Sequence, residues 1–343
     1  MKTLLFILVA IPLLIFATGS QSFSACKGDF DCNGVVDGLD LADFADSFGQ
    51  TDCSSDISKV IGTISFADRG EVDLRSLQLT LYQVGDVIGG PSATKAEFDA
   101  IKVLIAADGQ LTPQLNLITA SAEVLPEVII IYSKYELLKL QNVIISSINY
   151  LPPLASGAPF LLDISLTFSK IVFSWAGQHV DWDLALNKGS GCTHADLRFI
   201  NLIDYAGSNV FPDYIPISAY SFSMAHHYDP HSASRAEFEA IEIKSAVSDV
   251  SLCLFSMTAS GTHINEVMIE KWGAAFRKDP EVRIELEDVI ATIFSIYSNS
   301  AGDLEQKTAF SYGRIRWSHW AGPDPKNPVK WTTGWDLVNN EPL

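Results

Sequence analysis

Residues Asp29 to Asp40 read DFDCNGVVDGLD, a spacing of oxygen ligands that suits a hard divalent cation. Asp29, Asp31, Asn33, Asp37 and Asp40 occupy positions 1, 3, 5, 9 and 12 of a calcium loop, and Gly34 stands at position 6, where the backbone turns sharply. Calcium takes about six to eight oxygens, so carboxylates and an amide alternating along a tight loop fit it. The peptide carbonyl of Val35 supplies the position-7 ligand, and Val36 gives the loop an apolar anchor. The carboxylates repel one another until a cation offsets them, so the expected cofactor is Ca2+. What positions the loop is the segment after it. Leu41, Phe44 and Phe48 fall on one helix face, and Gly49 stops the helix.

The loop closes with Asp40 rather than the bidentate Glu of sensor EF-hands. With a helix after it and no clear helix before it, the segment 26–53 resembles one repeat of a dockerin module. The resemblance implies calcium binding, for which a single loop suffices. Dockerins that dock to cohesin partners carry two such repeats, and this chain departs from them in having one.

The N-terminus has Lys2, an apolar run from Leu4 to Phe16 and then small and polar residues, the pattern of a secretory signal peptide over residues 1–25. The run is short for a membrane span of about 20 residues, and no later stretch is long enough either. Phe-Ser-Ala-Cys around Cys26 loosely resembles a lipoprotein cleavage site, so lipid anchoring at Cys26 is the alternative to plain secretion. Five cysteines in an extracytoplasmic chain suggest disulfides and one leftover thiol. Cys26 and Cys53 bracket the calcium segment, so their pairing would staple it, and Cys192 and Cys253 would then pair within the C-terminal half. Cys32 is the candidate free thiol, and its pairing with Cys26 or Cys53 is open. The formal charge of −18 becomes −19 once Lys2 leaves with the signal peptide, a surface that repels nucleic acid and anionic lipid.

Two further clusters have chemistry in them. His226, His227, Asp229 and His231 form HHYDPH, whose imidazoles and carboxylate suit zinc or copper, although Pro230 between them equally marks a polar turn. Trp320 and Trp331 belong to the insertion GPDPKNPVKW and are freer to bind a ligand such as a sugar ring. Trp175, Trp182, Trp317 and Trp335 read instead as core or interface residues, because they recur in a duplicated pattern. The chain contains no HExxH, GxSxG, Walker loop or dinucleotide fingerprint, and the expectation is that it is not an enzyme.

The duplication is extensive. AEFDAIKV from Ala96 recurs as AEFEAIEI from Ala236, and LITASAEVLPEVII as SMTASGTHINEVMI. LQNVIISSI from Leu140 recurs as LEDVIATIF from Leu286, FSKIVFSW as FSYGRIRW, and WDLALN as WDLVNN. Five blocks in one order define two copies, at 57–189 and 195–343, joined near Gly189 and Gly191. Within each copy VDLRSLQLTLYQV, VRIELEDVIATIFSIY and FSYGRIRWSH alternate with period two, as strands do. Lys95–Ala106 and Arg235–Ile243 carry helix-like spacing, so one short helix is expected there in each copy. The expected fold class is mainly β: two tandem small β-barrels, each with a short helix, after a small α calcium-loop segment.

The second copy resembles the Hcp family, the tube protein of type VI secretion, through TASGTHINEV, VRIELEDVIATIFS, FSYGRIRW and the terminal GWDL. The resemblance covers nearly all of 197–340, and the first copy joins it through its alignment with the second. It implies a closed β-barrel flanked by a helix and assembly into six-membered rings that can stack. Two departures stand out: tube subunits are single barrels and are assembled without a signal peptide. The reading is a secreted, non-catalytic, calcium-binding protein that works by self-association, as a trimer with pseudo-six-fold symmetry, or by binding another extracellular protein. The alternative is a carbohydrate-binding or adhesive surface protein with polysaccharide as its partner.

Overall fold

The computed structural model describes residues 59–83, 95–153, 158–190, 196–202, 214–226, 236–272, 279–321 and 329–343. The expected calcium ligands Asp29, Asp31, Asn33, Val35, Asp37 and Asp40, and the residues His227, Asp229 and His231, lie outside the described residues.

Alternation of apolar and polar residues generates the first barrel. Its strands are β1 (Gly62–Phe66), β2 (Glu71–Gln83), β3 (Ala96–Phe98), β4 (Ile101–Ala106), β5 (Leu125–Tyr132), β6 (Tyr135–Leu151), β7 (Leu161–Thr167), β8 (Lys170–Trp175), β9 (Gln178–Asp183) and β10 (Lys188–Gly189), with one helix, α1 (Leu111–Ser121). Pairing runs β1 to β2, β4, β7, β6, β5 and back to β1, every step antiparallel, so six strands close on themselves. Closure removes the sheet edges that an open sheet would present. Ile64, Leu77, Val103, Val128, Leu140 and Ile164 point into the core.

The second barrel is built from β11 (Asp196–Leu202), β12 (Ile215–Pro216), β13 (Ala219–Ser221), β14 (Met224–His226), β15 (Ala236–Phe238), β16 (Ile241–Ala246), α2 (Asp249–Ser260), β17 (His263–Trp272), β18 (Val282–Ser298), β19 (Leu304–Ala321), β20 (Val329–Asp336) and β21 (Glu341–Pro342). It closes through β11, β17, β18, β19, β16 and the interrupted strand β12–β13. The interruption is bridged by Ile217 N–H to Ile200 O at 2.9 Å and Ser218 N–H to Lys244 O at 2.9 Å.

Backbone irregularities repeat with the sequence blocks. Left-handed residues recur as Ala122 and Gly261, Asn142 and Asp288, and Asn187 and Asn340. A register shift falls between Ile145 and Ser147 on β6, and between Ala291 and Ile293 on β18. The copies differ in their first strand. β1 reaches β2 through a tight turn at Ala67–Gly70 and runs antiparallel to β5, whereas β11 lies parallel to β12 and β17. A short turn forces antiparallel pairing, and the longer connection from Leu202 to Ile215 permits the parallel one.

The helix position departs from the sequence expectation. Residues 95–106 and 235–243 form β3–β4 and β15–β16, and each helix comes later, at α1 and α2. In IKVLIA the branched residues Ile101, Val103 and Ile105 are buried and Lys102 is exposed, a strand pattern that outweighs the helix-forming Ala, Glu and Lys before it. The α1 start is held by Asp108, whose Oδ1 accepts from Gln110 N–H at 2.8 Å and Leu111 N–H at 2.7 Å. These two backbone donors, Leu111 foremost, lower the Asp108 pKa below the ordinary carboxylate value. Both helices end in a left-handed residue, Ala122 at φ 52° and Gly261 at φ 65°.

Candidate functional site at the barrel interface

The two barrels are joined edge to edge. Gln78–Tyr82 of β2 pairs antiparallel with Ile293–Tyr297 of β18, Tyr82 opposite Ile293 and Gln78 opposite Tyr297. This pairing fuses both barrels into one 19-stranded sheet. It is possible because β18 is longer than its partner β17. Beyond the bulge at Ala291 the strand leaves β17, and its freed edge is taken up by the first barrel.

Apolar and polar positions alternate across the junction. Leu79 faces Ile296 and Leu81 faces Phe294, all fully buried, while Thr80 faces Ser295 with their hydroxyls 3.2 Å apart. Ser298 Oγ donates to Ser76 Oγ at 3.2 Å and accepts from Leu77 N–H at 3.2 Å. At one end the Lys59 ammonium donates to the Ala301 carbonyl. Burial raises the Tyr82 pKa, and the adjacent Asp99 carboxylate, which accepts its hydrogen bond, adds to the shift.

α2 covers the pairing and packs on β2, β3, β8, β9 and β10 of the first barrel. Phe255 is its anchor. The buried ring meets Phe98 at 6.0 Å, Phe173 at 5.7 Å and Phe294 at 5.9 Å between centroids, each edge-on. Each such pair contributes about 0.5–1.5 kcal/mol beyond area burial, because the positive ring edge meets the negative face. Ser256 Oγ donates to the Ser190 carbonyl at 3.3 Å. On the same helix Cys253 is disulfide-bonded, with a partner outside the described residues.

The other candidates distribute differently. Trp182 is buried and Trp175, Trp317 and Trp335 pack against the core, as their duplication implied. Trp320 corrects the expectation that it is free. It is buried, with the Arg283 guanidinium 5.4 Å and the Lys330 ammonium 5.0 Å from its ring centre. Trp331 is 56% exposed and stacks on His319 at 6.5 Å. On the outer face of the second barrel a depression of about 410 Å³ is lined by Asp196, Glu266, Glu285, Glu287 and Asp288 together with Arg314 and Arg316. Arg314 bridges Asp336 at 2.9 Å and Glu287 at 3.3 Å, which leaves a laddered charged surface. Among the described residues no group of His, Cys, Asp and Glu is placed to hold a metal ion, and no helix is long and apolar enough to cross a membrane.

Sequence reasoning singled out none of Phe98, Phe173, Phe255 or Phe294. The available signal was divergence inside the duplicated blocks, since Phe255 aligns with Asn116 and Ser256 with Leu117. Those are positions where one copy meets the other barrel and its counterpart does not.

The architecture is thus that of fused, closed β-barrels joined through main-chain pairing. Residues 208–319, about a third of the chain, match the family model described as "Type VI secretion system effector, Hcp". No curated protein matches the chain. Among solved structures, a type VI secretion system effector from Yersinia pestis is 16% identical, with 39% of this chain and 91% of that one covered at a TM-score of 0.30. Hcp1 from Salmonella typhimurium is 19% identical, covering 38% and 95% at 0.30. Hcp1 from Flavobacterium johnsoniae is 16% identical, covering 36% and 98% at 0.29.

Proposed function

We propose that this chain is a non-catalytic building block, an Hcp-like protein whose two barrels supply successive positions of a ring. Three chains joined head to tail close it with pseudo-six-fold symmetry. The observation that supports the reading is the β2–β18 junction, a barrel-to-barrel contact already made within one chain. A contact between unlike faces is heterologous, and repetition of it gives rings where the rotation closes. The match of residues 208–319 to the Hcp family adds to this. The signal-peptide pattern places the assembly outside the cytoplasm, and the Asp29–Asp40 loop adds one structural Ca2+ to each chain. Cys192 is the proposed partner of Cys253. Light scattering on the signal-free protein with calcium tests the reading: a three-chain mass supports it, and a single-chain mass at every concentration removes it.

A further inference from the structure

The second barrel carries a buried group of reactive side chains that the assembly reading does not use. Lys244 of β16 is 4% exposed, and its ammonium lies 3.3 Å from Oε2 of Glu305 on β19. The other carboxylate oxygen, Oε1, accepts from Nδ2 of Asn299 at 2.7 Å. An amine and a carboxamide are therefore held on the two oxygens of one carboxylate. The Tyr297 ring covers the lysine, its centre 5.6 Å from Nζ, and its hydroxyl donates to Glu305 Oε2 at 3.2 Å. Asn299 is fixed from its other side. Its Oδ1 accepts from Ala301 N–H at 3.0 Å and from Asp303 N–H at 2.9 Å, in the turn between β18 and β19.

Stability alone does not account for this arrangement. Ile101 faces Leu166 as Ile241 faces Phe310, so the first barrel has Leu104 where the second has Lys244. By the same comparison of register, the facing pair Leu151 and Leu161 stands where Tyr297 faces Glu305. Leu104 and Leu161 are buried. A buried ion pair is often no more stable than such apolar packing, because desolvation of the charges offsets their attraction. What Lys244, Glu305 and Asn299 add over three leucine-lined positions is chemistry.

We propose that Lys244 and Asn299 join in an intramolecular isopeptide bond, with Glu305 carrying the protons. Glu305 takes a proton from the Lys244 ammonium, and the neutral Nζ attacks Cγ of Asn299. Negative charge develops on Oδ1, where Ala301 N–H and Asp303 N–H already point. A second proton leaves Nζ by the same carboxylate. Both protons pass to Nδ2, the Cγ–Nδ2 bond breaks, and the nitrogen departs as ammonium. One amide replaces another, so no oxidant, reductant or activated co-reactant is consumed. Exchange of this kind is slow between free molecules, and fixing amine, amide and proton carrier together is what accelerates it. The bond ties β16 to the end of β18, two residues beyond the Ile293–Tyr297 segment that holds the first barrel. The strand that bears the junction is then covalently clamped into the second barrel.

Mass spectrometry of the reduced mature chain tests the bond, independently of whether rings form. The wild-type mass should fall short of the sequence mass by one ammonia, and a proteolytic digest should contain the Lys244 peptide joined to the Asn299 peptide. Lys244→Met and Glu305→Gln, each checked for folding by circular dichroism, should show the full sequence mass and two separate peptides. A wild-type digest in which the two peptides are separate overturns the proposal, even where a variant fails to fold. An ammonia loss that persists in Lys244→Met belongs to an imide at Asn299–Ser300 and overturns it too. A cross-link that forms fully in Glu305→Gln overturns the proton route through the carboxylate.

Discussion

Replacing Phe255 by alanine tests whether the barrels are one mechanical unit. The ring is fully buried and wedged edge-on among Phe98 and Phe173 of the first barrel and Phe294 of the second. Truncation of a buried Phe costs about 3–5 kcal/mol, from lost transfer energy and the cavity left behind. That is a large fraction of the about 5–15 kcal/mol that holds a domain folded. With a urea slope of about 2 kcal/mol/M, the transition that includes the junction moves down by about 2 M. Since the lost contacts join the buried cluster of one closed barrel to that of the other, Phe255→Ala should also split unfolding into two steps by calorimetry. Asn116→Ala, at the equivalent exposed site on α1, should change stability by less than about 0.5 kcal/mol. A Phe255→Ala protein that unfolds in one step within about 1 kcal/mol of wild type would refute the argument that this ring couples the barrels.

Three further outcomes follow from particular residues. Ala122 carries φ 52° at the end of α1, a conformation that costs an L-residue about 1–2 kcal/mol and that Gly261 adopts freely on α2, so Ala122→Gly should raise the stability of the first barrel by about 1 kcal/mol in urea titration. The Asp336 pKa is held down to about 2, first by the Asn339 backbone N–H and then by Arg314. A depressed carboxylate stabilises the fold above its ordinary pKa of 3.8 and loses that contribution as pH falls towards about 2, so Asp336→Asn should flatten the stability profile over that window. Isothermal calorimetry should find one calcium site that Asp40→Ala abolishes, while chelator leaves the barrel melting temperature unchanged, because the buried core is built from residues between Ile61 and Leu337, outside the loop.

Much of the architecture was legible in the sequence. Period-two alternation identifies β2, β18 and β19, because one face of each points into a closed core. The duplicated blocks anticipate the repeated left-handed residues and bulges. Helix placement was not legible: the Ala and Glu of AEFDAI and AEFEAI favour helix locally, yet tertiary packing of Ile101, Val103, Ile241 and Ile243 decides. The junction was not legible either. Gln78–Tyr82 and Ile293–Tyr297 look like any other half-buried strands, and only their register brings Leu81 to Phe294. The burial of Trp320 was not legible, because nothing in sequence spacing reveals that Arg283, on β18, lies against its ring. The proposed calcium ligands from Asp29 to Asp40 rest on spacing alone, which is why calorimetry is the measurement they need.

The central claim, that a fused barrel pair is one third of a ring, is tested most directly by the mass of the mature protein in solution. Multi-angle light scattering with calcium present, at moderate salt that screens a net charge of −19, should give three chains per particle, approached from monomer as concentration rises. A single-chain mass maintained up to crystallisation concentrations would contradict the account.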